Sequence, residues 1–380
     1  MTLAFGNWGA LPWMIGSLVE GAGFAPDRAA FLGSMELTLM GTVMLAMAPM
    51  VPRMNRAWLV GLALPLILAA QIASAFVIDY YYLLIIRGIS GAAFGAIFSV
   101  GTAEGADDEE PDRAFAFATV IAMCCGMVKS PMLGYAKELY GYRGIFLSLS
   151  VYYAVVGTPL LLLLLGGSRR AALKPPRQLS GAQAPHLLST ICVLLVMSAF
   201  SIATGGVYAF VERVATSVGI SASALGKGFA VSALIGTMGG TAAGRLGLKL
   251  GRVIPTVGGM ALLGVMSWFV METPTRAAFW VAYPLWVVVH WFAYSYVMGL
   301  SVMVDAQGRI ATLTSAIYIL TGAAGAAFAG LLTRYFGLAS YGWAALGACL
   351  IGAITAWWVL RLAGQPKGLA TYQAAKTNAQ

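Results

Sequence analysis

Charge is scarce in this chain. Only 10% of its 380 residues are Asp, Glu, Lys or Arg, against about a quarter in an ordinary soluble domain. That scarcity excludes a normal water-facing surface. Histidine occurs twice. The four cysteines, Cys124, Cys125, Cys192 and Cys349, sit inside apolar runs without the spacing of a zinc site, and no disulfide framework is implied. No basic block interleaved with aromatics accompanies the formal net charge of +9, so nucleic acid is not an expected partner. The excess suits topology and anionic lipid instead. No P-loop, ATPase segment or catalytic constellation is present, so neither an enzyme nor a nucleotide-driven pump is expected, and no metal or cofactor. No Lys or Arg precedes the first apolar run. It lacks the basic start of a cleaved signal and reads as a retained first helix.

What is present is apolar length. Hydrophobic residues make up 60% of the chain, and the mean hydropathy is +0.82. Run after run reaches the roughly 20 residues that span a bilayer. Twelve segments emerge, at 5–25, 28–50, 57–77, 80–104, 113–137, 144–166, 187–210, 222–244, 253–271, 277–303, 310–333 and 341–362. The expected class is an all-α membrane protein. Its expected organisation is a six-helix bundle over 1–166, a polar cytoplasmic linker over 167–186, a second bundle over 187–364 and a polar cytoplasmic tail over 365–380.

Twelve spans put both termini on one side. With the termini cytoplasmic, 14 of the 23 Lys and Arg residues fall in inner segments and 6 in outer ones, while Arg87, Lys129 and Lys227 lie in or near the membrane. The positive-inside rule therefore favours cytoplasmic termini, and a bacterial inner membrane is the expected location. The halves also echo each other. "SLVEG" (17–21) and "AFVER" (209–213) lie 192 residues apart, as do "APMVPRMNRA" (48–57) and "GTAAGRLGLK" (240–249). A constant offset suggests one six-helix unit used twice.

These motifs resemble the major facilitator superfamily. Its loop signature G-x-L-A-D-R-x-G-R-R follows helices 2 and 8, and Arg53, Arg56, Arg245, Gly247 and Lys249 fall in that register. The family's aspartate is replaced by Pro52 and Gly244, so the pairing it makes is not implied here. "RGISGAAFG" (87–95) resembles the helix-4 motif R-x-x-x-G-x-x-x-G, with Gly91 and Gly95. "GMVKSPMLGY" (126–135) resembles the helix-5 motif G-x-x-x-G-P-x-x-G-G, with Gly126, Pro131 and Gly134 in place. The resemblance implies two six-helix bundles around a central cavity, alternating access, and a lean to proton antiport and export. The small residues also have an independent role in close helix packing.

Ionisable groups inside a membrane are rare and face the bundle interior or a wet cavity. Segments 3, 6, 9 and 12 hold none in their apolar cores, whereas Glu20, Glu36, Arg87, Lys129 and His290 lie in segments 1, 2, 4, 5 and 10. Glu36, Arg87 and Lys129 each stand seven or eight residues from one end of their segment, about 11–12 Å deep. Glu36 can pair with either cation, which leaves one positive charge for an anionic group on a substrate. Lys129 is the first candidate for that contact. Arg87 is either a second contact or a lock for the bundle. Glu36 is the first candidate for proton coupling, with His290 and Glu20 as alternatives. Repeat symmetry places Glu20 near an outer mouth, as a gate or ion pair. Tyr283, Trp286, His290 and Tyr294 share one face of segment 10, and Trp13 shares a face with Glu20.

An aromatic wall opposite a cation suits a small organic anion or an amphipathic aromatic solute. Three other readings stay open. One is an importer of organic acids by proton symport. Another is a copper carrier, because Met40, Met47 and Met50 share a face of segment 2 with Glu36, and Met123 and Met127 flank Cys124 and Cys125 in segment 5. The last is a non-transporting assembly factor. The expected partners are a small-molecule substrate, protons and the bilayer, with a monomer as the expected state.

Overall fold

The computed structural model describes residues 2–47, 50–106, 111–167, 187–247, 249–304 and 309–363. Every apolar segment read from the sequence is helical in it, and among the described residues nine helices are long and apolar enough to cross a membrane. Two departures from the expected segments matter.

The first segment is not one helix. It is a short α1 (Thr2–Trp8) followed by α2 (Leu11–Glu20). Pro12 has no N–H, so the carbonyl four residues earlier loses its helical donor, and Gly9 adds local freedom. The Ala10 amide instead donates to the Asn7 carbonyl. The carbonyls at the end of α1 are thereby left for other partners.

The fifth and sixth segments run together as α6 (Pro111–Gly167), folded back at Gly141, whose φ of 58° and ψ of −140° are non-helical. A residue with a side chain would be strained there, so glycine makes a reversal with no loop. Between these lie α3 (Pro26–Met47), α4 (Arg56–Phe76) and α5 (Tyr80–Ala106). The second half comprises α7 (Leu187–Ser217), α8 (Ala222–Leu246), α9 (Val253–Met271), α10 (Arg276–Val304), α11 (Arg309–Phe336) and α12 (Ser340–Ala363). At 31 residues α7 is about 46 Å long. It continues seven residues past the expected end, so Glu212 and Arg213 stand inside a helix. The 167–186 linker and the 365–380 tail fall outside the described residues, apart from Gly167.

Three packings join the halves: α3 on α11, α6 on α8 and α2 on α7. The first two are related by swapping the halves, as a two-fold repeat requires. Helices α4, α9 and α12 lie outside this seam and carry exposed apolar residues such as Trp58, Ile254 and Ile351, as a lipid-facing layer should. We call the end holding the turns after α2, α4, α7, α9 and α11 the distal end, and the end holding the chain termini the terminal end.

Candidate functional site

The deepest charges form a lock within the N-terminal half. On α5, Arg87 and Ser90 lie about one turn apart and face Glu36 on α3. Arg87 donates through Nη1 to both Glu36 oxygens, at 3.3 and 3.4 Å, and Ser90 donates to Oε1 at 2.6 Å. Its Nη2 reaches the Ser74 hydroxyl at 2.9 Å, with the Gln71 side chain and the Ala70 carbonyl at 3.3 Å. The guanidinium also lies over Phe146, 5.2 Å from the ring centre. Both ions are 1% exposed. Small residues make this approach possible: a Cβ on Gly91 would stand 2.1 Å from the Glu36 carbonyl oxygen, and one on Gly95 would stand 2.5 Å from that of Met40.

Lys129 is not part of this cluster. The expected charge triad divides, with Glu36 taking Arg87 and Lys129 turning the other way. Its ammonium donates to the Gly6 carbonyl at the end of α1 and lies 5.8 Å from the Tyr152 ring centre. The end of a helix is its electronegative pole. The interrupted first helix therefore supplies Lys129 with a neutral acceptor. Lys129 is 2% exposed, and among the described residues no carboxylate ion-pairs with it. An ammonium has three donors, so this one retains unused hydrogen-bonding capacity.

The same break is gripped from the other half. Tyr208 on α7 donates to the Gly9 carbonyl at 3.3 Å, and Trp8 stacks on Tyr318 of α11 with ring centres 5.4 Å apart. Tyr318 continues into a cluster of Phe200, His290 and Tyr294. The expected stripe on α10 is one continuous run of ring contacts, with Trp286 and His290 ring centres 5.3 Å apart, but its members have different partners on other helices. Tyr283 stacks on Phe279 and lies against Phe229, and Trp286 donates to Ser267 of α9 at 2.9 Å, so both are packed into the C-terminal half. His290 packs against Phe200 of α7, and Tyr294 against Phe200 and Tyr318 of α11. His290 is buried, and its Nδ1 has no hydrogen-bond partner among the described residues. Trp13 is 0% exposed and packs edge-on against Phe229.

Toward the distal end the halves are shut. Lys137 of α6 pairs with Glu212 of α7 and, at 2.8 Å, with Glu20 of α2; Arg213 of α7 also takes Glu20, at 2.8 Å. Asp27 of α3 pairs with Arg334 of α11, and the Glu138 carboxylate accepts from the Ser223 amide at 2.8 Å. Glycine contacts follow the same gradient. A Cβ on Gly134 would lie 2.4 Å from the Ala222 carbonyl oxygen, and one on Gly226 would lie 2.5 Å from that of Ser130. At Gly126, two turns nearer the terminal end, it would meet nothing within 4 Å. Gly126 is therefore not a packing glycine in this conformation, contrary to its expected grouping with Gly134. Pro131 lies within α6, in the stretch that meets α8. The α6–α8 contact is therefore close distally and open at Gly126, whereas at a similar depth on α3 a Cβ at Gly41 would still lie 2.9 Å from Leu320 of α11.

The four cations of the loop signature lie at that terminal end. Arg56 pairs with Glu104 of its own half at 2.9 Å, and Arg53, Arg245 and Lys249 are exposed. The acidic run Asp107, Asp108, Glu109 and Glu110 after α5 is outside the described residues.

A family model described as Major Facilitator Superfamily matches residues 1–325. The chain belongs to the major facilitator superfamily. It is thus an integral membrane protein of a transporter family rather than an enzyme. No curated protein matches it. The fold has many solved likenesses. One is a bacterial homologue of the human lysosomal transporter Spinster, inward-facing and unoccupied, with a TM-score of 0.74, 14% identity and coverage of 95% of this chain and 94% of that one. Another is a D-xylose–proton symporter, with a TM-score of 0.69, 15% identity and 94% of both chains covered. A third is the peptide transporter POT in complex with alafosfalin, with a TM-score of 0.72, 13% identity and coverage of 96% and 93%.

Several residues at this facilitator's seam carried no sequence signal strong enough to name them: Trp8, Phe200, Tyr208, Tyr318 and Glu212. The aromatics are ordinary apolar-run residues until the fold brings them to the break. Glu212 lies beyond the expected end of its segment at residue 210, yet it is inside α7 and 0% exposed. The available clue was Gly16, the small residue on α2 that makes room for it.

Proposed function

We propose that this facilitator moves a small organic anion, or an amphipathic aromatic solute bearing an acidic group, by alternating access of the 1–166 and 187–364 bundles. The observation that carries this reading is Lys129, a fully buried ammonium held by one backbone carbonyl and no described carboxylate. Burying a charge without full compensation is costly, and an anionic ligand would supply the missing partner. Trp8, two residues beyond the carbonyl that holds Lys129, begins a run of rings through Tyr318, Phe200 and Tyr294 that offers apolar faces for the rest of the solute, with the His290 nitrogen as a polar contact.

Arg87 and Glu36 serve as the bundle lock in this reading, and Tyr283, Trp286 and Trp13 as packing. Similar folds belong to a sugar–proton symporter and a peptide transporter, which suits a soluble organic cargo. The helix-5 motif favours proton-coupled export.

A thermal-shift screen on the purified protein tests the reading. Organic anions, organic cations, neutral aromatics and Cu(I) are compared at acid and neutral pH, on wild type and Lys129→Ala. The expected result is stabilisation of wild type by an anion and loss of that effect in the variant. Equal stabilisation of both would move the site to α10. A response confined to Cu(I) and lost on changing Met123, Met127 or Cys125 would replace the reading with the copper carrier. Absence of any solute transport after reconstitution would leave the assembly factor.

A further inference from the structure

The distal end carries a crevice that cargo binding at Lys129 does not use. It lies where α3 meets α11, beside the start of α5, and encloses about 400 Å³, room enough for a small polar headgroup. Asp27, Arg28 and Phe31 of α3, Tyr80 of α5, and Leu331 and Arg334 of α11 line it. Both halves of the molecule therefore contribute walls.

The lining is ordered by depth. Arg28 is the third residue of α3, and Arg334 is the third from the end of α11. Phe31 and Leu331 lie three residues further in, about 4–5 Å deeper along each helix. Two antiparallel helices from opposite halves thus repeat one order, a guanidinium at the rim and an apolar side chain beneath it. Phe31 is 46% exposed and Leu331 47%, so the lower part is open to lipid at the side. The rim stands at headgroup level. Tyr80, Tyr81 and Tyr82 open α5, with Tyr81 and Tyr82 exposed, and such rings mark the boundary between membrane and water.

The charges of the crevice do not cancel. Asp27 and Arg334 pair across the seam. Arg28 lies over the Tyr80 ring, 5.3 Å from its centre, and makes no hydrogen bond or ion pair among the described residues. Two guanidiniums against one carboxylate leave a net charge of +1. Arg334 gives Nη1 to Asp27 and is 43% exposed, so its remaining donors face outward.

We propose that this crevice seats one anionic phospholipid of the distal leaflet, with its phosphate on Arg28 and the free side of Arg334 and its acyl chains over Phe31 and Leu331. A guanidinium meets a phosphate through paired N–H donors, and basic pockets between membrane helices hold lipid headgroups. A soluble phosphate would occupy the rim and leave the apolar part bare. A purely apolar ligand would leave Arg28 without its anion. A phospholipid answers both parts at once, and it touches both halves.

The test is native mass spectrometry of the full chain, delipidated in detergent and given equal amounts of dioleoyl phosphatidylglycerol and dioleoyl phosphatidylcholine. The first lipid retained should be phosphatidylglycerol, by roughly fivefold or more, about what one arginine near a membrane surface adds. Arg28→Gln should remove that preference and leave the melting temperature of the lipid-free protein unchanged, because Arg28 bonds nothing else among the described residues. Phe31→Asn combined with Leu331→Asn should weaken retention of phosphatidylglycerol as well, since the chains lose their seat. Arg143→Gln is the control. Arg143 is another exposed distal cation over a ring, that of Phe76, and its loss should leave the preference intact. Equal retention of the two lipids overturns the proposal. So does a preference lost equally in Arg143→Gln, which would reduce it to general attraction by a basic face. Displacement of the lipid by an equal concentration of glycerol phosphate also overturns it, because the crevice would then be a site for a free phosphate ester.

Discussion

Arg87 and Lys129 are two fully buried cations in the same half of the molecule, on α5 and α6, and they are treated in opposite ways. Arg87 is given a carboxylate, an amide oxygen, a hydroxyl, a carbonyl and an aromatic face, all from its own half. Lys129 is given a single carbonyl and a distant ring. A guanidinium enclosed by so many acceptors has little left to offer a ligand, whereas an ammonium with unused donors does. The difference separates a cation that holds the bundle from one available to meet a cargo, although both look alike in a hydropathy plot.

The contrast can be broken most forcefully at the lock. Glu36→Ala strands Arg87 and should cost about 3–5 kcal/mol, read as a large fall in melting temperature of the detergent-purified protein. The double change to Glu36→Gln with Arg87→Met should recover most of it. A single variant that melts like wild type would remove the lock. Next in size, Lys129→Ala should weaken anion binding by roughly 10–100-fold, the worth of a charge-assisted hydrogen bond, while leaving the melting temperature near wild type. A marked loss of stability without loss of binding would make the two cations alike after all.

The helix contacts sharpen the same comparison at smaller scale. Gly91→Ala forces a methyl against the Glu36 backbone and should cost about 1–3 kcal/mol, measured by thermal unfolding. Trp286→Phe gives up its bond to Ser267 and should cost about 1 kcal/mol with ligand affinity unchanged, whereas Tyr318→Ala should lower affinity for an aromatic ligand. Smallest of all, Gly126→Ala meets open space in this conformation and should leave the melting temperature within about 1 kcal/mol of wild type, or slightly raise it by favouring the helix.

Much of the architecture was legible because a bilayer imposes a length on each apolar run, and because bringing a charge into it is costly enough to be informative. The all-helical class, the lipid-facing set and the seam helices follow from those two facts. The site was legible only in part. Lys129 stood out, but its partner is a backbone oxygen 123 residues earlier, and side-chain patterns cannot show that. The break that frees this oxygen was visible in "GALP" (9–12) yet submerged in a continuous apolar run. Trp286 and His290 share one sequence stripe, and only packing against α9 and α7 separates their roles. Glu212 falls just beyond the expected segment 187–210, and a hydropathy boundary says nothing of burial.

The turn at Gly141 has a mechanical consequence. At the distal end consecutive helices are tied by very short connections, from that single glycine to the five residues between α2 and α3, and every one of these ties lies within a half. The chain passes from one half to the other only once, between Gly167 and Leu187, at the terminal end. No covalent stitch therefore crosses the distal seam. It is held by side chains alone, so it can unzip without any segment having to stretch, and two separately made fragments cut in the linker should reassemble along it.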